Sequence, residues 1–178
     1  MHITFRKLEK SDFPLLLEWL NERIVKQWVY PKDDVTIEWI EKKYSERLLQ
    51  NSFVKPYIAQ IDGNDVCYIQ TFFQIDEPEY EKYFKEYTAD ENTMGVDLWI
   101  GNKEYIHKGY GKYILSSFLK EIVFSNIKAK RCLIDPDPNN KIAIKAYEKV
   151  GFKHIKNVKV KNEEFYIMEL HKKNFKPL

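Results

Sequence analysis

The chain of 178 residues carries 29 Lys+Arg against 27 Asp+Glu, a formal net charge of +2. This near balance gives no electrostatic reason to expect a nucleic-acid partner, and 44% apolar residues exclude wholesale disorder. The length favours a single domain over residues 1–178. The two cysteines, Cys67 and Cys132, lie in apolar runs typical of strands, so no disulfide framework is expected. No signal peptide and no apolar run of about 18 residues is visible, which predicts a cytoplasmic protein without a membrane span.

The first half of the chain predicts a strand, two helices and a hairpin. Ser11 and Thr36 are candidate N-caps, because each precedes a segment with apolar residues at helical spacing. Asp62-Gly63-Asn64 is a turn signal between two apolar runs. The predicted elements are, in order, a strand over 2–8, a helix from Ser11 to Leu20, a helix from Thr36 to Gln50, and strands over 53–61 and 66–75.

The second half begins with an acidic, aromatic insertion over residues 76–91, which is either a wall of a substrate site or a solvated surface. The elements predicted after it are a strand over 94–100, a helix over 109–124, a strand over 131–135, a helix over 140–150, and closing strands over 153–159 and 164–170. This order predicts an α/β (α+β) fold with a mixed, mostly antiparallel sheet flanked by helices.

A glycine-containing motif joins the predicted strand 94–100 to the next helix, and it reads Ile106-His107-Lys108-Gly109-Tyr110-Gly111-Lys112. Glycines let a backbone approach a ligand closely, and the start of a helix presents unpaired N–H groups and a positive dipole end. Two lysines add positive charge. The motif therefore favours a pyrophosphate cradle, with a glycine-rich helix entry as the plainer alternative.

A second motif follows the short strand 131–135, and it reads Asp135-Pro136-Asp137-Pro138-Asn139-Asn140. The prolines favour an extended strand exit, and Asn139 or Asn140 can cap the next helix. Gly151 is a candidate C-cap for that helix. Tyr147 lies near its end, where a tyrosine either packs in the core with a tethered hydroxyl or faces a ligand.

The predicted strand 94–100 carries a carboxylate where one is not expected. Strand periodicity places Gly95, Asp97 and Trp99 on one face. A carboxylate in mid-strand is destabilising unless a partner satisfies it. Asp97 is thus either bonded to a backbone or arginine group, or it faces a ligand.

Together these motifs resemble the GNAT (GCN5-related N-acetyltransferase) superfamily, which uses acetyl-CoA. Within it the chain looks most like the aminoglycoside 6'-N-acetyltransferases, and the resemblance covers nearly the whole chain. Family members often carry Gln-Phe after the strand aspartate, where this chain has Leu98-Trp99. The segments that carry the resemblance, besides the two motifs above, are Lys55-Pro56-Tyr57-Ile58-Ala59, Tyr68-Ile69-Gln70, residues 95–101, and the stretch from Asn140 to Phe152.

The resemblance implies roles for particular residues. Catalysis is assigned to Asp97, which faces the acceptor amine in the family, and to Tyr147, which stabilises the departing thiolate. The residues implied in acetyl-CoA binding are Trp99, Ile100, His107, Lys108, Gly109, Tyr110, Gly111, Lys112, Asn140, Ala143, Tyr147 and Lys149. The residues implied in acceptor binding are Trp28, Gln70, Tyr83, Asp97, Asp135 and Glu163.

The reaction expected from this resemblance is direct attack of an aminoglycoside amine on acetyl-CoA. Neither cysteine has an activating histidine in a motif, and the four histidines lack metal-ligand spacing, so neither a thiol nucleophile nor a metal is expected. The protein is expected to be a monomer or homodimer with a small-molecule substrate. Two alternatives stay open: a GNAT enzyme acting on a protein N-terminus or another small amine, and a non-catalytic acyl-CoA-binding domain.

Overall fold

A computed structural model describes residues 1–76, 91–160 and 163–178. The helices are α1 (Phe13–Asn21), α2 (Arg23–Lys26), α3 (Ile37–Tyr44), α4 (Gly111–Phe118) and α5 (Lys141–Val150). The strands are β1 (Ile3–Lys7), β2 (Lys55–Ile61), β3 (Asn64–Phe73), β4 (Thr93–Ile100), β5 (Arg131–Ile134), β6 (Lys153–Val160) and β7 (Glu163–His171). None of the helices in these ranges is long and apolar enough to cross a membrane.

The strands of the described ranges form one mixed sheet in the order β1-β2-β3-β4-β5-β7-β6. β1 runs antiparallel to β2, and β7 runs antiparallel to both β5 and β6. β4 and β5 run parallel, with Met94 opposite Cys132. The predicted mixed, mostly antiparallel sheet is therefore confirmed.

By its internal contacts the chain divides into two compact units, each made of two segments. Unit 1 comprises residues 1–70 and 98–110, and unit 2 comprises residues 71–97 and 111–178. The chain passes from one unit to the other three times: within β3, within β4, and between Tyr110 and Gly111. The single domain predicted over residues 1–178 stays a prediction.

Unit 1 buries helices α1 and α3 against the inner faces of β2 and β3. Its apolar core includes Leu16, Ile40 and Ile58, all fully buried. Thr36 caps α3 as predicted, since its hydroxyl accepts a hydrogen bond from the Trp39 amide at 3.2 Å. The predicted cap at Ser11 is wrong: a single 3₁₀ turn over Lys10–Asp12 intervenes, and α1 starts at Phe13.

Two further differences from the sequence prediction lie at helix ends. The helix predicted to reach Gln50 ends at Tyr44, and a separate 3₁₀ turn follows over Glu46–Leu48. The helix predicted over 109–124 begins at Gly111 and continues from Phe118 into a π-helical turn, in which the Phe124 amide donates to the Leu119 carbonyl at 2.8 Å. Apolar periodicity identifies such helices but does not register a change in hydrogen-bonding pattern.

In unit 2, α4 and α5 pack against each other. The end of the chain lies against α4, where the Leu178 amide donates to the Ser116 hydroxyl at 2.9 Å and Phe175 packs on Phe124. Gly151 ends α5 with φ of 109°, a left-handed conformation that favours glycine, so the predicted C-cap is confirmed.

An arginine fixes the start of unit 1 by binding two carboxylates. The Arg6 guanidinium donates to Asp12 at 2.7 and 2.8 Å and to Asp65 at 2.7 and 3.2 Å. Burial of Asp12 favours its protonated form, but the hydrogen bonds from Arg6 and from the Glu9 amide outweigh it and hold the pKa of Asp12 below its ordinary value. The stability from Asp12 is therefore fully present above the pKa of an unfolded aspartate and is lost as pH falls through the lower, folded-state pKa.

We expect Arg6→Met to lower the free energy of unfolding by about 2 kcal/mol at neutral pH, because Asp12 would stay buried without its cation. The loss is smaller than for a fully buried pair, since the Arg6 side chain is 31% exposed. Urea titration measures it, and the variant should show a weaker dependence of stability on pH below about 4. Lys10→Met is the control, since Lys10 meets Glu41 only at the surface, and it should change nothing measurable.

Candidate functional site

Asp97 lies near the end of β4, at the point where the strand passes from unit 2 to unit 1. The first half of β4 is fully buried, and from Asp97 onward the strand is only half-buried. Gly95, two residues earlier, has no room for a side chain: a Cβ there would lie 2.6 Å from both Phe72 and Gln74. The face of β4 that carries Gly95 is thus covered by these side chains, and from Asp97 onward the strand is partly accessible to solvent.

Both cysteines carry buried, unreactive thiols. Burial raises the pKa of the Cys67 thiol, and burial together with the charge of Asp97 raises that of Cys132. Fully buried neutral thiols are poor nucleophiles, which supports direct transfer without a cysteine intermediate. Among the residues of the described ranges, no group of three or more His, Cys, Asp or Glu could hold a metal ion.

On the unit 1 side, β4 continues through Trp99 and Ile100 into the glycine motif. Gly101 packs directly on the Trp19 indole, and a Cβ at position 101 would overlap the ring. His107 and Gly109 both have positive φ, 60° and 82°, so the loop turns sharply twice. His107, Lys108 and Gly109 are exposed, and no atom lies within 4 Å of the Cβ position of Gly109. The loop is thus open and cationic, as the predicted diphosphate cradle requires.

On the unit 2 side, α4 begins at Gly111, directly after this loop. The first amides of a helix have no partner within the helix and favour anions. Lys112 is half-buried, and its ammonium lies 4.7 Å from the centre of the Tyr113 ring. The predicted roles of these loop residues in coenzyme binding remain predictions.

The residues of α5 and its N-cap that are assigned to coenzyme binding differ in how deeply they are buried. The Asn140 side-chain oxygen accepts from the Ala143 amide at 3.1 Å, so Asn140 is the N-cap, as one of the two predicted candidates. Tyr147 is buried, with its ring 6.3 Å from that of Phe152, while Ala143 is half-buried and Lys149 is exposed. The buried ring of Tyr147 agrees with packing in the core, and the catalytic role of its hydroxyl stays a prediction.

The residues predicted to bind the acceptor fall in different surroundings. In unit 1, Trp28 is 40% exposed and Gln70 is 5% exposed. In unit 2, Asp135 is half-buried, while Glu163 at the start of β7 is exposed. Tyr83 and most of the acidic insertion lie outside the described residues.

Sequence reasoning missed an arginine that holds Gln70. Arg47 donates through Nη1 to the Gln70 side-chain oxygen at 2.7 Å and to the Tyr68 hydroxyl at 3.1 Å. The Tyr68 hydroxyl also donates to Gln70, at 2.6 Å, and the Tyr68 ring stacks on Trp99 with centroids 5.1 Å apart. The only signal in the sequence is a lone arginine beyond the apolar stripe of α3, which does not distinguish it from a surface residue.

Residues 9–160 match the sequence profile of the family described as "Acetyltransferase (GNAT) domain". The chain belongs to the GNAT acetyltransferases. The predicted family and fold are thus confirmed.

Relatives of this GNAT chain include enzymes of known substrate. The aminoglycoside N(6')-acetyltransferase type 1 of Klebsiella pneumoniae is 30% identical over 151 residues, which cover 84% of this chain and 73% of the relative. A solved structure of AAC(6')-Ib in complex with ribostamycin and coenzyme A aligns with a TM-score of 0.88 at 26% identity, covering 98% of this chain and 96% of that one. The N-hydroxyputrescine acetyltransferase of Acinetobacter baumannii is 24% identical over 141 residues, covering 79% of this chain and 61% of the relative.

Gly111→Asp is expected to raise the KM of this GNAT domain for acetyl-CoA about tenfold, because a negative charge would stand at the helix end offered to the diphosphate. An aspartate in the first turn favours the helix itself, so unfolding is not the expected cause. Calorimetric titration with coenzyme A measures the affinity directly. Gly111→Asn is the matched control of equal size without charge, and it should bind more tightly than the aspartate variant. If both variants bound coenzyme A as tightly as wild type, the assignment of Gly111 to the coenzyme site would be contradicted.

Proposed function

We propose that this protein is an aminoglycoside 6'-N-acetyltransferase, which transfers acetyl from acetyl-CoA to a primary amine of the antibiotic and so confers resistance. The observation that carries the proposal is a carboxylate, Asp97, at the point where β4 ceases to be buried, in a strand that leads directly into an open cationic loop. The extent of similarity to aminoglycoside acetyltransferases supports the same assignment.

Acetyl-CoA supplies a thioester whose carbonyl carbon is open to attack by an unprotonated amine. An aminoglycoside amine is protonated at neutral pH, so its proton must leave before or during the attack. An ordinary aspartate, with a pKa of about 3.9, is a weak base. Asp97 is therefore assigned to hold the ammonium in place and to pass its proton on through water, acting at high effective concentration.

Two further groups complete the proposed reaction. A backbone N–H of β4 near Trp99 or Ile100 donates to the carbonyl oxygen as negative charge develops on it. The Tyr147 hydroxyl donates to the departing thiolate. No covalent enzyme intermediate is needed, in agreement with the buried, neutral thiols of Cys67 and Cys132.

A second candidate function is acetylation of a different small amine or of a protein N-terminus. The similarity to N-hydroxyputrescine acetyltransferase favours the small amine among these. Either alternative substrate carries fewer amines than an aminoglycoside and has no sugar rings.

We further propose that the protein is cytoplasmic, that it acts as a monomer or homodimer, and that it has no nucleic-acid or membrane partner.

Release of free thiol from acetyl-CoA distinguishes these functions. The assay compares kanamycin, a diamine such as putrescine, a panel of N-terminal peptides, and no acceptor. The proposal predicts the highest kcat/KM with kanamycin and a single acetylation at the 6'-amine, which mass spectrometry and NMR of the product identify. A higher kcat/KM with the diamine or a peptide would reject the proposal in favour of the second function.

A further inference from the structure

The loop that follows β4 is tied at its start by the side chain of Asn102. Residues 101–110 form neither helix nor strand, and a loop of this length is mobile unless its backbone is held. The Asn102 Nδ2 donates to the Asp65 carbonyl at 3.1 Å, and its Oδ1 accepts from the Glu104 amide at 3.0 Å. Asparagine makes this bridge because it carries a donor and an acceptor on one short side chain. All of these residues belong to unit 1.

The strand to which Asn102 is bound is itself firmly held. The Asp65 carboxylate accepts from the Arg6 guanidinium at 2.7 and 3.2 Å and from the Gln60 amide at 2.8 Å. Next to it, the Val66 carbonyl accepts from the backbone N–H of Asn102 at 3.2 Å. Asn102 therefore attaches the loop to two successive residues of β3, one of which is fixed through its side chain as well.

The tie continues to the part of the loop assigned to the coenzyme. The Asn102 carbonyl accepts from the Tyr105 amide at 2.9 Å, and the Tyr105 ring packs on Tyr110 with centroids 5.3 Å apart. Ile106 packs against the apolar core of unit 1. The three residues 107–109 are exposed and include both positions of positive φ. An exposed cationic segment is thus flanked on both sides by residues that are held in place.

We propose that Asn102 is a positioning residue for acetyl-CoA, which keeps residues 107–109 in their binding conformation by tying the loop to β3. The inference rests on the predicted role of this loop in coenzyme binding, and it does not depend on which amine is the acceptor. A loop that is already ordered in the free protein loses little conformational entropy when the diphosphate binds, so the affinity is higher. Asn102 acts through the backbone that it fixes.

Two variants separate the two bonds of the side chain. Asn102→Ala removes both, whereas Asn102→Asp keeps the acceptor for the Glu104 amide and loses the donor to the Asp65 carbonyl. Each is expected to raise the Kd for coenzyme A about fivefold to tenfold, the effect of losing one or two hydrogen bonds. Calorimetric titration with coenzyme A, without an acceptor, measures this Kd.

Two control variants account for charge and for general loss of structure. Lys103→Gln makes the loop more negative by one charge, as Asn102→Asp does, and Lys103 is exposed, so its Kd should rise less than about twofold. Asn64→Ala removes an asparagine that donates to the Ile61 carbonyl at 3.4 Å, away from the loop, and should leave the Kd unchanged. The melting temperature shows whether each variant is folded.

Tryptic cleavage after Lys108 reports the order of the loop directly, and mass spectrometry identifies the fragments. In the free protein, Asn102→Ala should be cleaved there about fivefold faster than wild type. Saturating coenzyme A should protect both proteins. A purely structural role for Asn102 would lower the melting temperature without this local change.

A Kd equal to that of wild type in both variants, or unchanged cleavage after Lys108, would overturn the inference. Wild-type affinity in Asn102→Asp alone would also overturn it, because the bond to Asp65 would then be dispensable. If Asn102→Ala does not fold, Asn102→Asp decides by the same two measurements. Failure of coenzyme A to protect Lys108 in wild type would overturn the assignment of the loop, while the thiol-release assay still decides the proposed function.

Discussion

Asp97→Asn should lower kcat/KM for an aminoglycoside by about 100-fold or more, the effect typical of losing a positioned proton acceptor. The substitution keeps the shape of the side chain and removes its charge. Asparagine can neither hold an ammonium by charge nor accept its proton. The KM for acetyl-CoA should stay close to that of wild type, because the carboxylate is assigned to the acceptor amine.

Steady-state kinetics with each substrate varied in turn measure this loss. Asp137→Asn is the matched control: Asp137 is exposed, and among the described residues its side-chain oxygen accepts a hydrogen bond only from the Asn139 amide in the same loop, at 2.7 Å. Asparagine retains that acceptor, so the control should keep wild-type kinetics. Near-native activity of Asp97→Asn would reduce Asp97 to a structural residue and favour the second candidate function.

Tyr147→Phe should lower kcat by roughly tenfold to a hundredfold with little change in affinity for the coenzyme. The ring is buried and remains in phenylalanine, so packing is preserved. Only the hydroxyl assigned to the departing thiolate is removed. The effect is smaller than for Asp97, because a thiolate is a good leaving group and water can replace the hydroxyl.

Measuring kcat together with the melting temperature separates catalysis from packing. A hydroxyl that only satisfies a local hydrogen bond would contribute about 1 kcal/mol to stability and nothing to kcat. An unchanged kcat with a lowered melting temperature would thus contradict the catalytic role. Tyr113→Phe on α4 is the control for removing a tyrosine hydroxyl, since Tyr113 is 37% exposed, and it should alter neither quantity.

The sequence was informative wherever local chemistry determines the backbone. The turn at Asp62 and Gly63 has φ of 50° and 84°, as the turn signal predicts for a tight hairpin. Thr36, Asn140 and Gly151 cap their helices as predicted, because caps depend on residues adjacent in the chain. β5 runs parallel to β4, which confirms the predicted mixed sheet.

Features that depend on distant residues were not predictable in this way. The hydrogen bond from Arg47 to Gln70 joins residues 23 positions apart, and no local sequence pattern predicts it. The requirement for glycine at position 101 arises from the Trp19 ring, which comes from α1. Ser11 is a typical N-cap residue before an apolar stripe, but the Asp12 carboxylate is bound to Arg6 and a 3₁₀ turn precedes the helix.

The division of the chain into two units places all of its tryptophans in one of them. The chain has four tryptophans, at positions 19, 28, 39 and 99, and all four belong to unit 1. Tryptophan emission during denaturation therefore reports on unit 1, whereas far-ultraviolet circular dichroism reports on the backbone of both units. Coincident transitions by the two methods would mean that the units unfold as one cooperative block, and separate midpoints would give the stability of each.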